Sequence, residues 1–223
     1  MGSEYRFSFG PWNIHEGADP FGPTVRPRLE FAKKLKMYRQ LGFEGVQFHD
    51  DDAVPDMEDL SASEIARKAA DVKKMLDGEG LVAEFVAPRL WENPKGIDGG
   101  YTSNDPAGRK WAVERTFRAV DIANALGTKM LVFWLAREGT YLRESKNAIE
   151  AHRHLIDAIN QVLQYDKAIT IAIEPKPNEP MDHAYLPTIG HALAIAARTV
   201  DPMRVGGLIE TAHALLAGLD PSD

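Results

Sequence analysis

The residues able to do chemistry in this sequence each close a short apolar run. Glu174 ends the run Ile-Thr-Ile-Ala-Ile and is followed by Pro175-Lys176-Pro177. A carboxylate at the mouth of a buried strand is costly unless it meets a cation or several donors. The two prolines hold the backbone extended, which fixes the directions of Glu174 and Lys176 and favours a preorganised site over a helix cap or surface loop. Glu210 repeats the arrangement after Gly-Gly-Leu-Ile, and His213 follows at a spacing that shares its face if a helix starts there. Glu-x-x-His alone is weak, because any helix start can hold it. Its weight comes from Glu174: adjacent strands lie about 5 Å apart, so the two carboxylates could bridge one ion. Two Glu and one His favour Mg²⁺, Mn²⁺ or Co²⁺ over Ca²⁺, and a structural zinc would want thiolates that a cysteine-free chain lacks.

His49 ends another run, and Asp52 is near enough in sequence to bond one ring nitrogen, fixing the tautomer and raising the basicity of the other. The spacing is equally compatible with a buried imidazole satisfied by backbone beside a solvated Asp50–Asp52 loop. Trp12, Trp91 and Trp134 lie at or just beyond run ends; aromatic walls there suit a sugar, though core packing accounts for any one of them as well. Trp111, within a helical segment, reads as core. His152 and His154, two apart on a helix, cannot share a face and read as surface, while His183 and His191 have no spaced partner.

The elements that must position these residues alternate along the whole chain. Apolar runs at Tyr5–Phe9, Gly45–Phe48, Leu81–Val86, Lys129–Leu135, Ile169–Ile173 and Val205–Ile209 predict strands. Between them, Leu29–Leu41, Ala62–Glu79, Ala107–Leu126, Lys146–Leu163 and Pro187–Thr199 have helical periodicity. Continuously apolar runs indicate parallel strands covered on both faces. The absence of a G-x-G-x-x-G or Walker lysine motif argues against a nucleotide-binding open sheet. Chemistry drawn from many strand ends predicts a (β/α)8 TIM barrel. No linker or composition shift interrupts the series, so residues 1–223 read as a single domain, truncated after about six βα units.

The 223 residues are 44% hydrophobic and 26% charged, with a net charge of −7, which excludes disorder and disfavours nucleic acid as a partner. No run is long enough to span a membrane and no signal sequence opens the chain, so the expected location is cytoplasmic, without membrane association.

Longer strings carry a family resemblance. Arg6-Phe7-Ser8-Phe9-Gly10-Pro11-Trp12, Asp19-Pro20-Phe21-Gly22, Phe48-His49-Asp50-Asp51-Asp52, Asp98-Gly99-Gly100-Tyr101-Thr102-Ser103-Asn104-Asp105, Arg137-Glu138-Gly139, Glu174-Pro175-Lys176-Pro177-Asn178-Glu179-Pro180 and Glu210-Thr211-Ala212-His213 occur in order. In this the chain resembles xylose isomerase. The resemblance implies a homotetrameric TIM-barrel enzyme interconverting D-xylose with D-xylulose, and usually D-glucose with D-fructose, by a hydride shift assisted by two divalent cations. It implies that Glu174 and Glu210 bind metal with His213, and that His49 assists ring opening with Asp52 orienting it. Lys176 would hydrogen-bond the sugar. Trp12, Trp91 and Trp134 would line the pocket, with Phe21 reaching into a neighbouring subunit's site. Trp91 stands where the family usually has Phe, Pro11 replaces a typical Leu, and Ala-Leu-Leu follows His213 in place of Glu-Gln-Met. A sugar epimerase of similar barrel, shuttling a proton between two glutamates around one metal, is the alternative.

The family's remaining metal ligands are aspartates on the next two strands, and the sequence ends at Asp223 before either. The 223-residue chain alone is therefore expected to be a catalytically incomplete fragment. Assayed with D-xylose and Mg²⁺ or Mn²⁺, it should give no ketose above a no-protein blank.

Overall fold

The computed structural model describes residues 5–18 and 22–222. In chain order the strands are β1 (Ser8–Phe9), β2 (Gly45–His49), β3 (Val82–Ala87), β4 (Met130–Trp134), β5 (Gly139–Thr140), β6 (Thr170–Glu174), β7 (His183–Ala184) and β8 (Val205–Gly207). The helices are α1 (Phe31–Gln40), α2 (Asp50–Ala53), α3 (Ala62–Glu79), α4 (Pro106–Leu126), α5 (Ala148–Tyr165), α6 (Ile189–Ala196) and α7 (Thr211–Leu216). Six strands form one sheet in the order β1-β2-β3-β4-β6-β8, and the printed pairings β1–β2, β4–β6 and β6–β8 are parallel. Each expected run overlaps a strand and each expected helical segment a helix, with ends differing by a few residues. The βαβα alternation thus becomes the parallel α/β sheet that the sequence predicts. Three elements escape periodicity: α2 is a single turn directly after β2, and β5 pairs antiparallel with β7 outside the main sheet.

By internal contacts the chain forms two compact units, residues 1–86 with 121–128 and residues 87–120 with 129–223. In the first, Leu35 and Tyr38 of α1, Phe48 of β2 and Ile65, Ala69 and Leu76 of α3 are buried. Ser61 caps α3 by a reciprocal exchange, its hydroxyl accepting from the Glu64 amide while the Glu64 carboxylate accepts from the Ser61 amide. Ser8, Gln47 and Glu84 form a polar ladder across β1–β3, Gln47 Nε2 donating to Ser8 Oγ at 3.0 Å and to Glu84 Oε2 at 3.1 Å. The strands are less evenly covered than a continuously apolar run implies, since Val82 is 52% exposed and Glu84 is also exposed, whereas Ala83 and Phe85 are buried. Side chains alternate across a strand, so residues of one run can meet different environments on the two faces.

In the second unit, Leu131 and Phe133 of β4, Ile171 and Ile173 of β6 and Leu155, Ile159 and Val162 of α5 are buried. Arg204 joins three segments by donating to the carbonyls of Leu163 (2.9 Å), Asp166 (3.0 Å) and Ile169 (3.1 Å), capping the end of α5 against the start of β6. The loop after β4 is held by Glu138, which is 3% exposed. Its carboxylate accepts from the amides of Gly100, Tyr101 and Thr102, each at 2.9 Å, and from the Thr102 hydroxyl at 2.5 Å. Gly99 makes the cradle possible: its φ is +87°, and a Cβ there would lie 2.7 Å from Thr102 Oγ1.

Replacing Glu138 by Ala would strand three buried amides, each costing about 1–3 kcal/mol when left unpaired. Glu138→Ala should therefore lower the urea midpoint by the equivalent of about 3 kcal/mol or more, whereas Thr102→Ala should cost about 1 kcal/mol.

Candidate functional site

The second unit gathers most of the sequence-predicted chemistry. β4 and β6 pair in parallel with Trp134 opposite Glu174, so both side chains leave the same face at the same strand ends. Glu210 is the N-cap of α7, its carboxylate accepting from the His213 amide at 2.6 Å. That cap turns His213 back toward β6: Nδ1 lies 3.4 Å from Glu174 Oε1 and 3.7 Å from Glu210 Oε2. An imidazolium at these separations would pair with both carboxylates. Burial, however, pushes the His213 pKa below its ordinary value against the pull of Glu210, so the ring is neutral near pH 7. Glu174 responds in the opposite direction. Burial, and next the charge of Glu210, push its carboxyl up to about 7, with Lys176 opposing them.

These residues have the character of a cation site. His213 Nδ1 is buried without a hydrogen-bond partner, between two carboxylates whose mutual repulsion a cation would relieve. Two carboxylates and a neutral imidazole are the donors a hard or borderline divalent ion takes. Among the described residues no three such side chains already converge on one ion-sized point. The expected ligands are thus neighbours, and they do not form a closed cage.

Lys176 extends from the rigid segment after β6, its backbone amide bonded to the Leu186 carbonyl at 3.2 Å. Its ammonium lies 3.7 Å from Glu179 Oε2 and 5.4 Å from the centre of the Trp134 ring. Trp91 meets Trp134 edge to face, with centroids 4.4 Å apart and planes at 85°. Arg137 holds Trp91 from behind, donating from Nε to the Trp91 carbonyl at 2.7 Å, and the Arg89 guanidinium lies 5.8 Å from the Trp91 ring.

The first unit holds a separate cluster. His49 Nδ1 is 2.8 Å from Asp52 Oδ2, which also accepts from the His49 amide at 3.1 Å. A carboxylate can only accept, so in this contact Nδ1 is the donor. The Trp12 ring packs on His49 with centroids 4.3 Å apart. Gly10 makes room for it, since a Cβ there would fall 2.3 Å from the indole. The Asp50–Asp52 segment is no solvated loop: it forms α2, and Asp50 is fully buried.

Sequence reasoning brought forward the strand-end residues and gave no role to their supports, Glu138, Arg89 and Arg137. The signal for Glu138 is its place in Arg137-Glu138-Gly139 just after β4; its partners, 36 to 38 residues away, leave no local trace. Trp111, read as core, is half-buried with the Lys95 ammonium 5.9 Å from its ring centre. His152, read as surface, packs on Tyr185 with centroids 5.1 Å apart. Phe21 lies outside the described residues.

A family model described as a xylose isomerase-like TIM barrel matches residues 35–223. The chain belongs to this family. Solved structures resemble it at low identity. A xylose isomerase domain protein from Alicyclobacillus acidocaldarius is 14% identical, with a TM-score of 0.63 over 96% of this chain and 66% of that one. D-Psicose 3-epimerase from Clostridium cellulolyticum, solved with D-tagatose, is 11% identical, with a TM-score of 0.67 over 95% and 65%. The IolI protein, solved with a bound zinc atom, is 14% identical, with a TM-score of 0.67 over 97% and 66%. The chain thus spans slightly less than two thirds of each of these proteins. The likeness shows the barrel-type fold. No helix among the described residues is long and apolar enough to cross a membrane.

The buried glutamate yields a sign-definite prediction. Its folded pKa of about 7 exceeds the ordinary carboxyl value of 4.5, so the native state holds the proton more tightly. The resulting destabilisation is absent below about pH 4.5, grows as pH rises, and is complete above about pH 7, on the order of 3 kcal/mol. In metal-free protein, Glu174→Gln should therefore be more stable than the parent at pH 8 and indistinguishable from it at pH 4. Denaturant titrations of both at each pH check the difference; an equal advantage at the two pH values would contradict it.

Proposed function

We propose that the protein is an aldose–ketose isomerase converting D-xylose to D-xylulose, and D-glucose to D-fructose by the same chemistry. The observation that carries the reading is the group Glu174, Glu210 and His213 beside Lys176 and Trp134: a cation-suited donor set next to an ammonium and an aromatic face. Glu174, Glu210 and His213 would hold the first protein contacts to two divalent cations, Mg²⁺ or else Mn²⁺ or Co²⁺. Bound there, such ions would supply Lewis-acid polarisation of the sugar oxygens. His49, held in one tautomer by Asp52, takes the ring hydroxyl proton at Nε2 and returns it to the ring oxygen as the sugar opens. Lys176 donates to the oxygen at the reacting end and stabilises charge gathering there. The faces of Trp91 and Trp134 pack on the sugar's C–H edges and keep water out, so hydrogen moves between adjacent carbons without exchange. The expected assembly is a homotetramer, with Phe21 completing a neighbour's pocket, a small-molecule sugar as substrate, and neither nucleic acid nor membrane as a partner.

One observation favours a second reading. Glu174, with its carboxyl pushed up to about 7 beside Glu210, has the protonation balance of a general acid–base, as a sugar epimerase using a two-glutamate proton shuttle requires.

Turnover in D₂O separates the two. With D-xylose, Mg²⁺ and protein translated from its whole reading frame, a hydride shift gives D-xylulose with no carbon-bound deuterium. A shuttle places deuterium on the product carbon, which would replace the isomerase reading by the epimerase one. Lys176→Met should lower kcat by roughly 100-fold under the isomerase reading.

A further inference from the structure

A single 3₁₀ turn, Pro11–Asn13, leads out of β1 and carries Trp12 onto His49. The sheet fixes its start, because β1 pairs with β2 at Ser8–Gly45 and Phe9–Val46, and β2 ends in His49 itself. Its far end is fixed from α1. Lys34 donates from Nζ to the carbonyl of Pro11 at 3.1 Å and to that of Ile14 at 2.6 Å, one before Trp12 and one after it. The end of a short helical turn leaves carbonyls in need of donors, and an ammonium there supplies both hydrogen bonds and favourable charge. Of the four cations on α1, Lys33, Lys36 and Arg39 are exposed and Lys34 is half-buried. The ring that the turn carries is the aromatic neighbour of His49, whose Nδ1 is bonded to Asp52 at 2.8 Å. One hydrogen bond leaves an imidazole free to tilt about it, and a packed aromatic face removes that freedom.

We propose that Lys34 is a positioning residue for His49: by clamping the Pro11–Asn13 turn to α1 through two backbone carbonyls, it holds Trp12 against the imidazole. Trp12 can steady the ring only if its own backbone is steady. Gly10 gives the indole clearance rather than support, since a Cβ there would fall 2.3 Å from it. That the imidazole so held acts as an acid–base group rests on the sugar reading above, which the clamp deepens by naming what keeps that group aimed.

The test uses the same whole-frame protein with Mg²⁺ and carbon-13 in its histidines, and follows the His49 Cε1–H resonance at one fixed alkaline pH. His49→Gln identifies that resonance by its disappearance, and Trp12→Leu gives its position without the indole ring current. Lys34→Met should move it toward the Trp12→Leu position, and Lys34→Arg should return it toward the parent, because a guanidinium can still donate to both carbonyls. Lys33→Met, the same loss of charge at an exposed position of α1, should leave it in place. If Lys34→Met does not accumulate, Lys34→Gln replaces it. The kcat/KM for D-xylose should fall roughly 10-fold in Lys34→Met, short of the roughly 100-fold that a full ångström of misplacement costs. A resonance that moves in Trp12→Leu and not in Lys34→Met overturns the proposal and leaves the sugar reading standing. So does equal movement in Lys33→Met, a resonance that Trp12→Leu leaves in place, or movement with kcat/KM unchanged. If the resonance moves as expected in a protein that turns over no D-xylose, the clamp is upheld and the sugar reading falls.

Discussion

The second unit depends on how Glu138 is buried. A carboxylate almost wholly removed from water survives there because three backbone amides and a hydroxyl surround it, drawn from the segment Gly100–Thr102. The contact ties the loop before α4 to the loop after β4. The Glu138 carbonyl meanwhile accepts from the Tyr185 amide at 2.9 Å, bringing in the loop after β6. Lys146 adds a further tie, its buried ammonium 3.1 Å from the Asp98 carboxylate. The strand-end loops are thereby joined to one another by polar contacts whose loss would leave buried groups unpaired.

Glu174 makes the opposite use of the same residue type in the same unit. It is half-buried at a strand end with another carboxylate as its neighbour, and among the described residues no set of amides turns toward it. Its proton is accordingly held near neutral pH, and the facing imidazole is pressed into its neutral form. One glutamate is fully compensated and structural. The other is left uncompensated at the place where a cation and a polar ligand would supply what the protein does not. His49 stands between these extremes, with Nδ1 committed to Asp52.

The fold was largely legible in the chain because parallel strands and their covering helices leave local signals. Ala62–Glu79 is one case: its bounds follow from an apolar stripe, a serine cap and a glycine stop. The small pair β5–β7 left none, since two-residue strands have no periodicity and their partners lie more than forty residues apart. The α2 turn was hidden likewise, because three consecutive aspartates resemble an exposed loop until His49 and Asp52 cap the turn reciprocally.

The candidate site divides along the same line. Residue type and strand-end position were enough to single out Glu174, Lys176, Glu210, His213, His49 and the tryptophans, since a polar group after an apolar run is a local anomaly. Which of them touch was decided by register and capping: β4 against β6 sets Trp134 beside Glu174, and the Glu210 cap turns His213 onto both carboxylates. The supports, Glu138 under the loops and Arg137 behind Trp91, emerged only in three dimensions. The sequence by itself singled out which side chains are candidates for chemistry. Tertiary structure decided which were satisfied and which left wanting a partner, because burial and hydrogen bonding depend on neighbours that sequence spacing does not reveal.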